Sequence, residues 1–331
     1  MGDARVQKLK GFGPNIIAEK VVDDRCPTII LNAHMDTVKP WKGGLEPKVK
    51  GDRLYGTGAA DMKAGLAIII ETFRRSNLKK TNLTFTAVVD EEGNSYGAYR
   101  LLKDMKLKGD LCLIPEPSNE MPVLGARGRI AVDIELRSTG AHGARPDEGV
   151  NTIEEGAMII SSLARMQFKI HRLLGKGSVC AYRIEGGGDE LSVPSSCNIR
   201  VDRHYVPGEE KKGIMNDLKG MVRSLKLKSD VEIAWIKRPT PFLEPYVTER
   251  TPLVSYFLSQ AKRFYGQSKI RYAQSVGDYN LFARRMPTII FGPGGKYWHT
   301  SREYVNIASV KRCFSFYERC LNAFDTQKKK Y

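Results

Sequence analysis

The stretch Leu31-Asn32-Ala33-His34-Met35-Asp36-Thr37-Val38 decides how this chain is read, because it sets a His-x-Asp at the end of the apolar run Pro27 to Ala33. A short apolar run bounded by turn signals reads as a buried parallel strand, and in open α/β sheets ligands gather beyond the strand ends. His34 sits at such an end. Residues two apart share one face of a strand, so the Asp36 carboxylate is placed to hold one imidazole nitrogen while the other faces a metal. Any His before an Asp at a strand end looks like this, so the pair alone is a weak signal.

The signal strengthens downstream. Asp61 precedes the helical run Met62 to Phe73; Leu83 to Val89 ends in Asp90-Glu91-Glu92-Gly93; Leu111 to Ile114 ends in Pro115-Glu116-Pro117-Ser118; Pro287 to Phe291 runs into Gly292-Pro293-Gly294-Gly295 and then His299. A helix cap or solvated turn explains any one of these acids or imidazoles. It explains all of them together poorly, since adjacent carboxylates such as Glu91 and Glu92 repel unless cations lie nearby.

With those residues in place the chain resembles the dinuclear zinc amidohydrolases and peptidases of the M20 type, which include acetylornithine deacetylases, succinyl-diaminopimelate desuccinylases and carboxypeptidases. The matching motifs are His34-Met35-Asp36, Gly58 to Lys63, Asp90 to Gly93, Glu116-Pro117-Ser118, Gly140-Ala141-His142 with Pro146, Gly149 and Asn151, and Gly292 through His299 to Glu303. The resemblance implies two divalent metal ions, zinc or alternatively cobalt, with Asp61 bridging both. It puts His34 and Glu116 on one ion and Glu92 and His299 on the other, and makes the peptide bond after Asp61 cis. Asp61, Glu92, Glu116 and a hydroxide then balance two doubly charged ions, which leaves Glu91 free as general base. Asp36 supports His34, and His142 stabilises the oxyanion of the tetrahedral intermediate.

Length and composition bound the architecture. A chain of 331 residues, 41% hydrophobic, can bury one large core or two smaller ones. From about Gly125 the pattern changes: Ile130 to Leu136 alternates as a half-solvated strand, and Val150 to Met166 and Lys211 to Leu225 read as amphipathic helices. The fold class expected is α/β, a mostly parallel sheet with helices on both faces for residues 1–123 and 236–331, carrying an inserted α+β domain at 124–235. In the resembled family that insert is a lid and a dimerisation surface. The chain also reaches His34 with a shorter lead-in than family members usually have: either it lacks a helix that covers one sheet face or its start is internal, and an exposed apolar patch is expected where that helix would lie. Glu303 to Cys320 is expected as the closing helix and Thr326 to Tyr331 as a frayed basic tail.

No apolar run approaches a membrane span and no signal peptide precedes the first strand, which predicts a soluble cytoplasmic protein with no membrane partner. The six cysteines form no CxxC pair and read as reduced. The net charge is +16, and it is uneven: residues 236–331 hold 17 Lys and Arg against 6 Asp and Glu. No nucleic-acid motif accompanies this surplus, which reads either as a solvated face or as attraction for an anionic substrate or acidic partner.

Two departures from the family pattern touch the substrate. His204 stands where an Arg is usual, and an imidazole cannot reproduce a planar fork; Leu191 stands where an Asn is usual. Asp278 is similar to a family position near the substrate, and Gly294 belongs to a turn that reads either as an anion nest or as a plain tight turn. The expected reaction is hydrolysis of an amide bond, most simply removal of an acyl group from an N-acyl amino acid. Release of an amino acid from an acidic carrier protein or small peptide is the alternative within the class, and a non-catalytic binding or assembly protein the alternative outside it.

Overall fold

A computed structural model describes residues 4–188, 190–266 and 269–326. Of the expected tail at 326–331, Thr326 ends the last helix and residues 327–331 lie outside the described residues. The chain divides into two compact units, Met1–Gly125 with Val247–Tyr331, and Ala126–Tyr246. Residues 236–246, which the sequence reading places in the first unit, fall in the second.

The first unit is built on a mixed sheet. At its centre Asn82–Val88, Thr28–His34, Leu111–Ile114 and Thr288–Ile290 lie side by side and parallel. Their registers align His34 with Val88, Leu31 with Leu113 and Ile114 with Ile290, so four carboxyl ends open at one edge. Antiparallel Asn15–Lys20 extends one side and Val123–Ala126 the other. Each residue of Asn82–Val88 is buried, as in a strand covered on both faces. The apolar patch expected over the sheet is therefore absent from these central strands: Ile29, Ile30, Leu31, Leu83 and Ala87 are all buried, and the exposed Val6, Val21 and Val22 sit at or just beyond the edge strands. The aromatic cluster Phe257, Phe291, Phe316 and Tyr317 packs the C-terminal helix, with Tyr317 donating to the Phe291 carbonyl at 2.6 Å.

The Asp61–Met62 peptide bond is cis. Helix Ala64–Arg75 follows, and its second residue Gly65 faces Pro115 so closely that a Cβ would strike the Pro115 carbonyl oxygen. Gly292 does the same from another strand end, so the turn carrying Glu116 is held between two glycines that no larger residue can replace. The closing helix begins at Ile307 rather than Glu303, because Tyr304–Asn306 pairs as a strand with Arg53–Tyr55 and Asp52 accepts from the Ala308 amide. Helices Tyr96–Asp104, Pro252–Tyr265 and Asp278–Phe282 were not anticipated from the pattern.

The second unit is a four-stranded antiparallel sheet, in the order Ser178–Gly186, Ser196–Tyr205, Gly128–Arg137 and Asp230–Trp235, with helices Thr152–Leu163 and Lys211–Ser224. Ser196–Tyr205 and Gly128–Arg137 alternate between buried and half-exposed residues. The buried side chains form a core with Ile159, Leu163, Ile214 and Leu218 of the helices. Among the described residues no helix is long and apolar enough to cross a membrane. Cys112, Cys197, Cys313 and Cys320 are buried, Cys26 is half-buried and Cys180 is exposed, all as free thiols.

Candidate metal centre

The strand ends of the first unit converge. His34 is 1% exposed, and its Nε2 lies 3.2 Å from Asp61 Oδ1, 3.5 Å from Glu116 Oε1 and 4.0 Å from Glu91 Oε2. His299, on the loop after Gly292 to Gly295, puts its Nε2 3.2 Å from Asp61 Oδ2 and 3.0 Å from Glu92 Oε1. Asp61 thus turns one oxygen to each imidazole. Ligand atoms about 2.1 Å from a shared ion lie at most about 4.2 Å apart, so these separations suit a cation between them. Three groups of described residues bring their ligand atoms within 4.8 Å of one another: His34, Asp61 and Glu116; Asp61, Glu92 and His299; and His34, Glu91 and Glu92. Nitrogen and carboxylate donors without thiolate suit zinc, cobalt and similar divalent ions.

Asp36 works differently from the expectation. Its backbone carbonyl, not its carboxylate, accepts from His34 Nδ1 at 2.9 Å, while the nearer carboxylate oxygen stands 3.6 Å away. The carboxylate accepts instead from the amides of Glu91 at 3.3 Å and Glu92 at 3.1 Å. With Nδ1–H donated to the Asp36 carbonyl, Nε2 is the nitrogen that faces Asp61 and Glu116, the orientation a metal ligand needs once its proton is lost. Asp36 so ties the His34 strand end to the turn carrying both glutamates.

The geometry has counterparts. Residues 30–323 match the model of Peptidase family M20/M25/M40. The chain belongs to this family. It is 28% identical to an acetylornithine deacetylase of Aliivibrio salmonicida over 283 residues, 80% of this chain and 73% of that protein. It is also 28% identical over 323 residues to a Pyrobaculum aerophilum protein named as a LysW-lysine/LysW-ornithine hydrolase, covering 92% and 86% of the two chains. The fold matches the crystal structure of a Staphylococcus aureus tripeptidase with a TM-score of 0.79 at 20% identity, over 98% of this chain and 89% of that one. This M20 chain is accordingly a hydrolytic enzyme, and the reading as a non-catalytic binding or assembly protein is set aside.

In the M20 site the protein's own charges pull against one another. Burial opposes the charged form of His34, yet Asp36, Asp61 and Glu116 hold its pKa well above the usual value. Burial also works to raise Asp61, but His299 and His34 hold it below the ordinary range. Burial raises Glu91, with Asp278, Glu116 and Asp61 adding to it against the pull of His34. Glu116 is pushed up to about 7 by burial and by Asp61. His299 is raised to about 10 by its contacts with Asp61 and Glu92. A cluster that holds protons this firmly releases them when divalent cations take their place.

A cavity of about 380 Å³ opens beside these groups, lined by Glu91, Ser118, Ser275, Tyr279 and Trp298 together with apolar Val123, Val276 and Ile290. Asp278 is buried at the start of its helix, and that burial pushes it up to about 7. Gly294 is not an anion nest: its amide donates to Ser309 Oγ at 2.7 Å, and the neighbouring amides of Gly292 and Gly295 donate to Ser118 and Asn119. His142 lies in the Ala126–Tyr246 unit, exposed, with Nδ1 accepting from the Ala144 amide. His204 of the same unit rests 3.2 Å from Asp202, while Arg203 points to the other face of the strand and pairs with Glu209. Leu191 is exposed.

Sequence reasoning passed over the role of Glu303. It is 3% exposed and accepts from the amides of Gly58 at 3.0 Å, Ala60 at 2.9 Å and Asp61 at 3.0 Å. A carboxylate from the far end of the chain thereby fixes the backbone that aims Asp61. Its place at the end of the His299 motif was the only signal.

Proposed function

We propose that this M20 enzyme hydrolyses the amide bond of an N-acyl amino acid, as its acetylornithine deacetylase relatives are named to do. His34, Asp61 and Glu116 would hold one divalent cation, zinc or cobalt, and Asp61, Glu92 and His299 would hold a second. When bound, they polarise the scissile carbonyl and acidify the attacking water. The observation that carries the reading is Asp61, with one oxygen toward each imidazole and Glu91 poised beside them. Glu91 takes the proton from the attacking water and returns it to the leaving nitrogen; its burial, which favours the protonated form, suits the second task. Asp36 orients His34 and the glutamate turn. His142 donates to the oxyanion, and Asp278 and His204 contact the substrate. We place the reaction in cytoplasmic amino-acid biosynthesis, with the Ala126–Tyr246 unit as lid and homodimer surface.

The test is turnover of N-acetyl, N-succinyl and dipeptide substrates by zinc- and cobalt-loaded protein. Activity on an N-acyl amino acid, abolished by a chelator and restored by metal, is the expected result; no turnover of any of these amides overturns the reading.

A second reading rests on the cationic surplus of residues 236–331 and on the LysW-lysine/LysW-ornithine hydrolase relative: the acyl group is an acidic carrier protein. Then kcat/KM on a carrier-linked substrate falls steeply with added salt while turnover of a small amide stays level. A flat response for both ends this reading.

A further inference from the structure

Beside the metal centre lies a small antiparallel sheet, Gly295–Lys296, Tyr304–Asn306, Arg53–Tyr55 and Lys48–Lys50. Its register puts Lys48 opposite Tyr55, Tyr55 opposite Tyr304 and Tyr304 opposite Lys296; in the next row Lys50 stands opposite Arg53. Directly opposed residues share a face, and so do residues two apart. Lys48, Lys50, Arg53 and Lys296 therefore all point to one side, and each is exposed. The other side is apolar, with Leu54 and Val305.

The cationic side borders a cavity of about 350 Å³ lined by Lys42, Lys48, Lys50 and Trp41, where Glu46 is the one acid among the described lining residues. Thr300 and Ser301 also line it, while the preceding Trp298 and His299 line the metal cavity. One loop thus separates the two. Neighbouring strands lie about 4.8 Å apart, so the three spacings from Lys48 to Lys296 span about 14 Å. That exceeds a small N-acyl amino acid and equals about four residues of extended chain.

We propose that this face docks an acidic polypeptide segment and leads its amide-linked end to the metal centre. The inference deepens the carrier reading above and rests on it for the reaction, but the docking itself stands on the face. Two of the nearby rings lie under guanidinium groups: Arg53 is 4.5 Å from the centroid of Tyr304, itself 7% exposed, and Arg302 is 4.5 Å from that of Tyr297. Trp41, by contrast, is 50% and Tyr297 47% exposed. An acidic peptide is chosen over nucleic acid because it fits the carrier reading, and binding of hexathymidylate decides between the two.

The experiment measures fluorescence anisotropy of dye-labelled hexaglutamate, hexaglutamine and hexathymidylate with metal-loaded protein, the wild type against K48E/K50E. Hexaglutamate is expected to bind about 10-fold more tightly than hexaglutamine, and K48E/K50E to remove about 10-fold of that affinity, with added salt acting in the same direction. The neutral pair K48Q/K50Q loses less than the reversal, which separates charge from misfolding. Turnover of a small N-acetyl amino acid stays at wild-type level in both variants. Equal binding of hexaglutamine, an unchanged Kd in K48E/K50E, or tighter binding of hexathymidylate overturns the proposal. These binding results hold even if no small amide is hydrolysed, so failure of the reaction reading and failure of the docking face are told apart.

Discussion

The two imidazoles of the centre live in different surroundings. His34 ends a parallel strand buried from Ile29 onward, is 1% exposed and has its Nδ1 fixed by a backbone carbonyl. His299 lies on a loop with its side chain 51% exposed and a left-handed backbone, φ 59°. Glu116 is likewise clamped between Gly65 and Gly292 on the His34 side. A ligand set held by packing on three elements loses little entropy when an ion arrives; one completed by an exposed loop loses more. The His34 side is thus the preformed half of the centre and the His299 side the adaptable half.

The largest effect tests what both halves serve. Glu91→Gln is expected to lower kcat by about 10²- to 10⁴-fold, with metal content by atomic absorption unchanged; near-normal turnover contradicts the assignment of Glu91. The next change separates the halves. His34→Ala should leave less than one tightly held metal per chain, whereas His299→Ala should keep one, both measured by titration against a chromophoric chelator. Equal losses in the two variants would erase the distinction drawn between the halves.

Glu303→Gln touches both halves through Asp61. The Gln amide nitrogen replaces one carboxylate oxygen and so turns a donor either toward the Gly58 amide or toward the Ala60 and Asp61 amides, and loss of such outer support costs about 10- to 100-fold in metal affinity. Glu303→Asp, which keeps the acceptor character, should recover part of it. An unchanged Kd for both ions would reduce Glu303 to a fold residue.

The smallest effect is in stability. His299 has a folded pKa of about 10 against an ordinary 6.5, so its attraction to Asp61 and Glu92 is present in full below 6.5 and lost as pH rises through about 10. In protein stripped of metal, Tm should fall across that window by a few degrees, and His299→Ala should flatten the slope. Asp61, held below its ordinary value, gives the opposite limb: its contribution is present above about pH 3.9 and disappears on further acidification. A Tm independent of pH between 6.5 and 10 would show that the loop imidazole does not engage the carboxylates.

Much of this was legible in the chain itself. The apolar run to Ala33, the run to Val89 and Leu111 to Ile114 became strands with bounds near those expected; His34 ends the first, and Glu91, Glu92 and Glu116 stand just beyond the others. The alternation from Ile130 marked the change to an antiparallel unit. Helix Pro252–Tyr265 was missed despite good local signals: Thr251 caps the Val254 amide, Pro252 starts the helix and Gly266 ends it at φ 71°. The turn at Gly292 to Gly295 was open to two readings because a glycine run does not say where its amides go; Ser118, Asn119 and Ser309 take them.

By itself the sequence determined which side chains stand at which strand ends, because hydrophobic periodicity and turn residues are local and act within a few positions of the chain. Only the tertiary structure decided that Asp61 divides its oxygens between His34 and His299, that Asp36 holds the imidazole through its carbonyl, that Glu303 secures the backbone before Asp61, and that four cations line one face of a sheet assembled from three separate segments. These outcomes depend on register and strand order between residues far apart in the chain, where a shift of one position turns a side chain to the opposite face.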